Sequence, residues 1–175
     1  MEYEAFSKFV HGQPISISEY LVLFLKSILG LGEMIIRYIP GGVGYKLRYW
    51  YYKLILKKMG KNVLIEAGVF LNWANISLGD YVWIDGGCRI DAMLGEISIG
   101  KRVHVAPYSI IASREPIIIE DYVGISSHVR IYSNSETPLE GKRMSGPMIS
   151  EEHKASHSKR VILKKDSFIG TGSVL

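Results

Sequence analysis

The sequence predicts a mainly β protein, a parallel β-helix preceded by an N-terminal α-helical segment. Two observations predict it: aliphatic residues recur every six positions after Asn62, whereas the residues before it follow a helical period. Six-residue steps taken three at a time describe triangular coils, which stack about 4.8 Å apart. We therefore divide the chain into a helical segment, residues 1–61, and a β-helix domain, residues 62–175.

The composition fits one or two compact globular domains in a reducing compartment. The chain has 175 residues, of which 47% are hydrophobic and 22% charged, and this balance excludes disordered, collagen-like and coiled-coil proteins. Its single cysteine, Cys88, excludes a disulfide framework and a zinc cluster built on cysteines. The N-terminus is acidic where a signal peptide is basic, which predicts a cytoplasmic protein.

Residues 19–40 combine a wide apolar arc with a narrow charged stripe, which predicts an amphipathic helix. Lys26, Glu33 and Arg37 share one helical face. These charges disfavour a transmembrane span, and a Pro-Gly-Gly sequence ends the helix. A helix of this kind suits a membrane interface or a buried helical hairpin.

Basic and aromatic residues dominate the next stretch, residues 45–61, which contains no acidic residue. Such a mixture is typical of segments that bind anionic lipid. We therefore expect residues 19–61 to attach the protein peripherally to an anionic membrane surface, at the inner face of the cell membrane. Two alternatives remain open, docking against a neighbouring subunit and binding of single-stranded nucleic acid. No nucleic-acid-binding motif follows, so we expect no nucleic-acid partner.

Four aliphatic triplets with six-residue spacing mark the coils of the domain. They are Leu78, Ile84 and Ile90; Ile99, Val105 and Ile111; Ile119, Ile125 and Ile131; and Leu163, Ile169 and Leu175. A small or aliphatic residue, Cys88 among them, stands two positions before each, and both sets should point inward. The long interval before Leu163 predicts a loop excursion at residues 132–160, and long loops on rigid scaffolds are often functional.

The coil sequences ISLGDYVWIDGGCRI, ISIGKRVHVAPYSII, IIIEDYVGISSHVRIYSNSE and VILKKDSFIGTGSVL resemble those of the hexapeptide-repeat acyltransferases. Within that family they are similar to the sugar O-acetyltransferases of bacterial surface-polysaccharide biosynthesis (O-antigen, capsule or exopolysaccharide). The resemblance covers about residues 62–175. It implies a left-handed β-helix, a homotrimer, and acetyl-CoA bound as co-substrate between adjacent subunits.

Two features depart from the family pattern. Many members carry a catalytic histidine in the loop after the strand that corresponds to VRIYS, where this chain has Ser135 and Glu136. The chain also stops at Leu175, whereas members usually continue for another coil that lines the CoA cleft. Because an open solenoid end is an exposed edge, the sequence predicts a truncated product.

The coil register makes His104 and Asp85 the candidate catalytic pair. One outward column contains Trp83, His104, Gly124 and Phe168, each just before an inward aliphatic residue. Asp85 lies diagonally one coil from His104, where a carboxylate would fix the imidazole tautomer. We expect His104 to act as general base on a sugar hydroxyl that attacks the thioester. Gly124 would leave space for that substrate.

The other candidate site residues follow from neighbouring positions. Backbone N–H groups near Gly124 to Ser126 are candidates for holding the oxyanion. The expected contacts to the pantetheine arm of CoA are Ala106, Ser126, Gly170 and Gly172. The expected contacts to the sugar, besides Gly124, are Ser133, Ser135 and Glu136. His153 and His157, in the loop excursion, are alternative bases.

Two other functions stay open at this point. A zinc enzyme like the γ-carbonic anhydrases resembles this solenoid but uses three histidine ligands. Here only His104 and His128 fall on the coils, in different registers, so we expect no metal. The other alternative is an inactive or scaffold β-helix that lacks its last coil. If the chain is the acyltransferase, its acceptor is a sugar or a lipid-linked glycan.

Overall fold

The computed structural model describes residues 7–72, 75–92, 94–137, 142–144, 146 and 149–175. Two helices precede the solenoid strands: α1, Ile17–Tyr38, and α2, Gly41–Ile55. By compactness the chain forms two units. We call Met1–Ile35 with Ser135–His157 the α1 unit, and Ile36–Asn134 with Ser158–Leu175 the β-helix unit.

The β-helix unit consists of short parallel strands in three sheets. The first sheet contains, in spatial order, β1 (Lys58–Met59), β4 (Ile76–Leu78), β7 (Ile97–Ile99), β10 (Ile117–Ile119) and β15 (Val161–Leu163). The second sheet contains, in spatial order, β2 (Leu64–Ile65), β5 (Trp83–Ile84), β8 (His104–Val105), β11 (Gly124–Ile125) and β16 (Phe168–Ile169). The third sheet contains, in spatial order, β3 (Phe70–Asn72), β6 (Arg89–Asp91), β9 (Ile110–Ala112) and β12 (Arg130–Tyr132). Successive strands of the chain fall in successive sheets, so the chain winds as a β-helix and the predicted fold class is confirmed.

The strand register confirms the six-residue repeat. Leu78 stands opposite Ile99, which stands opposite Ile119, and the other two sheets align the corresponding aliphatic residues in the same way. In these columns the side chains are buried or, at Ile169, half-buried, whereas Leu175, which the repeat also predicts to point inward, is 44% exposed. Each fully buried aliphatic side chain contributes about 1.5–3 kcal/mol relative to an exposed one. Columns of aliphatic residues, rather than local strand propensity, therefore stabilise such short strands.

Residues with left-handed backbone dihedral angles turn the chain at both edges of the second sheet. At one edge Tyr81, Arg102 and Tyr122 have φ values of 58°, 54° and 61°. At the other edge Tyr108 and His128 have φ values of 62° and 60°. A positive φ is uncommon for bulky residues, and it recurs here at the same position of each coil. These turns fix where every strand of the second sheet begins and ends.

Helix α2 packs on the first coil through Gly44, Arg48 and Tyr52, which are buried. The Arg48 guanidinium donates from Nε to the Ile65 carbonyl at 2.8 Å and from Nη1 to the Ile39 carbonyl at 2.7 Å. Burial lowers the pKa of Arg48 from its ordinary value. One buried cation therefore joins the turn after α1 to the β-helix.

Helix α1 begins with a capping box. The Ser16 backbone N–H donates to Glu19 Oε2 at 2.9 Å, and the Glu19 backbone N–H donates to Ser16 Oγ at 3.3 Å. The Lys8 ammonium, 2.6 Å from Glu19 Oε1, and the Ser16 donors lower the pKa of Glu19 to about 2.

Among the described residues, no helix has the length and apolar character needed to cross a membrane.

The α1 unit also contains most of the predicted loop excursion. Two short strands, β13 (Asn134–Glu136) and β14 (Ser156–Ser158), pair with each other. A 3-10 turn, Glu151–His153, precedes β14. The excursion therefore has a small sheet of its own.

Candidate active site

The second sheet brings together the residues of the predicted outward column. Trp83 stands opposite His104, His104 opposite Gly124, and Gly124 opposite Phe168, on four successive coils. The inward neighbours Ile84, Val105, Ile125 and Ile169 set this register by their packing. The predicted column is thus confirmed as a geometric arrangement.

His104 and Asp85 form a direct contact. His104 Nε2 lies 2.9 Å from Asp85 Oδ2, and their side chains are 50% and 13% exposed, respectively. An ionised carboxylate can only accept hydrogen bonds, so this contact places the proton of a neutral imidazole on Nε2. The lone pair then lies on Nδ1, and the nitrogen that can accept a proton from a ligand is Nδ1.

Two aromatic side chains lie on either side of the His104 and Gly124 positions. The Trp83 ring centroid is 5.3 Å from that of His104, with planes inclined at 44°. The Phe168 ring leans over Gly124, because a Cβ atom built on this glycine would lie 3.1 Å from Phe168 Cδ2. Both aromatic rings are exposed. The space predicted at Gly124 is therefore partly covered by Phe168.

The prediction for the oxyanion donors is wrong for two of the three backbone groups. The Gly124 N–H donates to the Ser167 carbonyl, and the Ser126 N–H donates to the Ile169 carbonyl, both at 3.0 Å. Both N–H groups already form backbone hydrogen bonds between parallel strands of adjacent coils. They are not available to a tetrahedral intermediate.

The four residues predicted to contact the pantetheine arm all lie in the β-helix unit, but their surroundings differ. Ala106 is buried and Ser126 is half-buried. Ser126 Oγ lies 2.6 Å from Thr171 Oγ1, so these two hydroxyl groups form an outward pair that the repeat alone did not indicate. Gly170 has only Ser173 Oγ, 3.9 Å away, near the position of an added Cβ atom. Gly172 has a left-handed φ of 74°, so turn geometry accounts for this glycine.

The predicted sugar contacts divide between the two units. Ser133 is buried in the β-helix unit, where its Oγ accepts the backbone N–H groups of Arg114 at 2.8 Å and Glu115 at 2.9 Å. Ser135 and Glu136 lie on β13 in the α1 unit. Ser133 thus has a defined structural contact, while a role in substrate binding stays a prediction for all three.

The other histidines have different partners. His153 Nδ1 lies 2.7 Å from Ser150 Oγ, and His157 is on β14, both in the α1 unit. The His128 ring stacks on Tyr108 with centroids 5.3 Å apart. Among the described residues, no three His, Cys, Asp or Glu side chains are grouped as metal ligands would be.

The β-helix that holds the His104–Asp85 contact can be compared with known proteins. No family model matches the chain. It is 39% identical over 120 residues to dTDP-4-amino-4,6-dideoxy-D-glucose acyltransferase of Escherichia coli, a match that covers 68% of this chain and 62% of that enzyme.

Solved structures of an N-acyltransferase, AntD of Bacillus cereus, share the fold. AntD in complex with dTDP and 3-hydroxybutyryl-CoA matches with a TM-score of 0.65 at 32% identity, over 73% of this chain and 66% of AntD. A mutant of AntD in complex with dTDP-4-amino-4,6-dideoxyglucose and coenzyme A matches with a TM-score of 0.64 at 30% identity, over 73% and 67%. The chain belongs to the hexapeptide-repeat acyltransferase family. It spans about two thirds or less of the length of these relatives.

Proposed function

We propose that the protein transfers an acyl group from acyl-CoA to the amino group of a nucleotide-linked amino sugar. The observation that carries this proposal is the His104–Asp85 contact, which leaves imidazole Nδ1 on a half-exposed ring with no described partner of its own. A base of this kind is what acyl transfer to an amine or a hydroxyl requires.

The relatives support the choice of an amine as acceptor. The E. coli relative is named for a dTDP-linked 4-amino sugar, and AntD is an N-acyltransferase seen with that sugar nucleotide and with CoA ligands. The sequence favoured acetyl transfer to a sugar hydroxyl in surface-polysaccharide biosynthesis. The base chemistry is the same for both acceptors, so the hydroxyl acceptor and the acetyl donor are alternatives that one assay separates.

The reaction needs one proton to move. The sugar nitrogen attacks the thioester carbonyl carbon, so an N–C bond forms and negative charge develops on the carbonyl oxygen. His104 Nδ1 takes the proton from the attacking nitrogen, and Asp85 stabilises the imidazolium through Nε2. Collapse of the intermediate breaks the C–S bond, and the proton passes to the departing CoA sulfur. The products are an amide and free CoA.

The remaining residues have positioning roles in this proposal. Trp83 and Phe168 present ring faces on either side of the reacting position. The outward hydroxyl groups of Ser126 and Thr171, together with Gly170, line the adjacent column, where the pantetheine arm would lie. We place the protein in the cytoplasm as a homotrimer, in which a neighbouring subunit closes the donor cleft.

The test is an acceptor and donor panel with purified protein. Acceptors are dTDP-4-amino-4,6-dideoxyglucose and the corresponding dTDP-sugar with a hydroxyl at that carbon, and donors are acetyl-CoA and 3-hydroxybutyryl-CoA. Free thiol release and the mass of the acylated sugar nucleotide report turnover. Product formed from the amino sugar and not from the hydroxyl sugar supports the proposal, whereas product formed from the hydroxyl sugar supports O-acylation. No CoA binding by a folded protein would favour the scaffold alternative.

A matched pair of variants ties turnover to the site. His104→Asn removes the base, and His128→Asn changes an equally outward histidine that stacks on Tyr108. Asparagine tolerates the left-handed backbone of residue 128. We expect His104→Asn to lower turnover by about 10²–10⁴-fold and His128→Asn to retain it; the reverse result would remove His104 from the mechanism.

A further inference from the structure

The outward face of α2 carries an apolar stripe that the fold leaves exposed. The stripe consists of Val43, Leu47, Trp50 and Leu54, spaced by four, three and four residues, so all lie on one side of the helix. Leu54 is 84% exposed and Trp50 62%. Single exposed apolar residues are ordinary, but a contiguous stripe marks a binding surface.

The orientation of this stripe is fixed from the other side of the helix. Arg48 on the opposite face holds the Ile65 and Ile39 carbonyls, and Tyr52 is fully buried. Rotation that buried the stripe would break these hydrogen bonds and leave a buried guanidinium without acceptors, which is costly. The stripe therefore stays outward as long as α2 is docked on the β-helix.

Cationic side chains border the stripe. Lys46 and Lys53 are exposed and lie seven residues apart, so they share one flank of the stripe. Lys58 and Lys61, also exposed, follow the helix. The sequence contains no acidic residue between Met34 and Ile65. The face as a whole is thus apolar at its centre and positive at its border.

We propose that this face of α2 docks on the surface of an anionic lipid bilayer. The stripe would enter the boundary between headgroups and acyl chains, the indole of Trp50 would lie at headgroup level, and the lysines would meet lipid phosphates. A two-fold contact between two copies of this face would set lysines against lysines with no carboxylate between them, so the charges favour lipid. This proposal does not depend on the acyl-transfer activity.

Helix α1 supports the same partner from within its own unit. Its large exposed apolar side chains in that unit lie away from the charged flank of Lys26 and Glu33; they are Ile17, Tyr20, Leu21, Phe24, Leu25, Ile28, Leu31, Met34 and Ile35. A helix with a broad apolar face and one charged flank is typical of helices that lie in a membrane interface. Both helices thus present lipid-compatible surfaces.

Vesicle co-sedimentation of the full chain tests the proposal. The probes are vesicles of phosphatidylcholine alone and vesicles that also contain phosphatidylglycerol, at low salt and at about 1 M salt, where the Debye length falls to about 3 Å. We expect binding to the anionic vesicles at low salt and much weaker binding to the neutral ones. A folded protein that ignores anionic vesicles, or binds both compositions equally, overturns the proposal.

Two variant pairs locate the contact on α2. Each lysine near an anionic surface changes affinity about fivefold, so Lys46→Gln with Lys53→Gln should weaken binding about 30-fold. Leu54→Ser should weaken it about tenfold or more. The controls are Lys101→Gln with Lys165→Gln, and Leu94→Ser, whose side chain is 78% exposed in the turn between β6 and β7, outside α2. Equal loss in test and control variants overturns the assignment to α2.

Solution mass and intrinsic fluorescence separate the remaining outcomes. If the stripe binds another copy of the chain, Leu54→Ser will lower the solution mass without changing vesicle binding, which overturns the proposal. If it binds lipid, Trp50 emission will shift to shorter wavelength when anionic vesicles are added, and the shift will be lost in Trp50→Phe. Unchanged near-UV circular dichroism shows that each variant is folded.

Discussion

The carboxylate of Asp85 lies 2.9 Å from Nε2 of His104, although the two residues are 19 positions apart along the chain. The coil geometry produces this contact: Trp83 stands opposite His104, so the residue two positions after Trp83 lies diagonally beside His104 on the next coil. A carboxylate at this place selects one tautomer of the imidazole. Its removal should therefore affect the reaction more than the fold.

Asp85→Asn tests the orienting role of the carboxylate. An amide can donate as well as accept, so Nε2 no longer has to carry the proton and part of the population loses the lone pair on Nδ1. We expect kcat to fall at least about 100-fold, with KM and near-UV circular dichroism little changed. Full activity in this variant would mean that His104 does not depend on Asp85.

Removal of the base itself should lower kcat at least as much as Asp85→Asn does, and added imidazole should restore part of the activity. His104→Gly should lower kcat by about 10²–10⁴-fold, because the attacking nitrogen then loses its proton to water. Added imidazole should restore part of the activity in this variant and none in Asp85→Asn, measured as initial rates at saturating substrate. Equal stimulation of both variants would point to an effect of imidazole elsewhere.

Substitution of Gly124 tests access to the site separately from the stability of the fold. Glycine destabilises a strand interior by about 0.5–1 kcal/mol relative to alanine, but an added Cβ atom would lie 3.1 Å from Phe168 Cδ2 and displace that exposed ring. Gly124→Val should keep or raise the thermal midpoint while raising KM for the sugar nucleotide. Phe168→Ala in the same background should restore KM if the shared space is what matters. A wild-type KM in Gly124→Val would contradict the proposed position of the substrate.

The outward column could be predicted from the sequence because inward and outward positions alternate within each six-residue step. The aliphatic residues at 84, 105, 125 and 169 fixed the register, and His104 and Asp85 followed from it without further information. Burial of Cys88, beside Val105 and Ala106, followed in the same way. A repeat held by the hydrophobic effect therefore determines which polar residues share a face.

Contacts that do not repeat could not be predicted in this manner. β1 has no aliphatic triplet, since Lys58 and Met59 pair with Ser77 and Leu78, so the periodic pattern gave no signal for it. Thr171 is at a turn, and its hydroxyl contact with Ser126 depends on the stacking of adjacent coils. The Arg48 contacts join a helix to main-chain carbonyls, which carry no sequence signal at all.

Cys88 should be unreactive in the folded protein. Burial raises the pKa of its thiol to about 11, and Sγ donates to the Ala106 carbonyl at 3.1 Å. At about pH 8 iodoacetamide should therefore modify Cys88 only after denaturation, as intact mass will show. Rapid modification of the native protein would contradict the burial of this side chain.

The same shift predicts a pH dependence of stability. The pKa of the folded state exceeds the unfolded value of about 8.5, so the thiol contributes stability that is fully present below about pH 8.5 and is lost as pH rises through about 11. Thermal midpoints of the wild type should fall more steeply than those of Cys88→Ala over this range. Parallel slopes would show that Cys88 does not contribute to alkaline unfolding.

Two glycines of α2 form a matched test of how the helix is anchored. A Cβ atom on Gly44 would overlap the Ile39 carbonyl, which is also an acceptor of Arg48 Nη1, whereas nothing lies within 4 Å of the corresponding position on Gly42. Gly44→Ala should therefore lower the free energy of unfolding by about 2 kcal/mol or more. Gly42→Ala should leave it unchanged or raise it by up to about 1 kcal/mol.

Urea titration of both variants followed by circular dichroism measures the difference. Arg48→Met should reproduce the loss seen for Gly44→Ala, because it leaves the Ile39 and Ile65 carbonyls without their donor. The double variant should then lose less than the sum of the two single losses, since both disrupt one contact. Additive losses would mean that close packing at Gly44 and hydrogen bonding by Arg48 stabilise α2 independently.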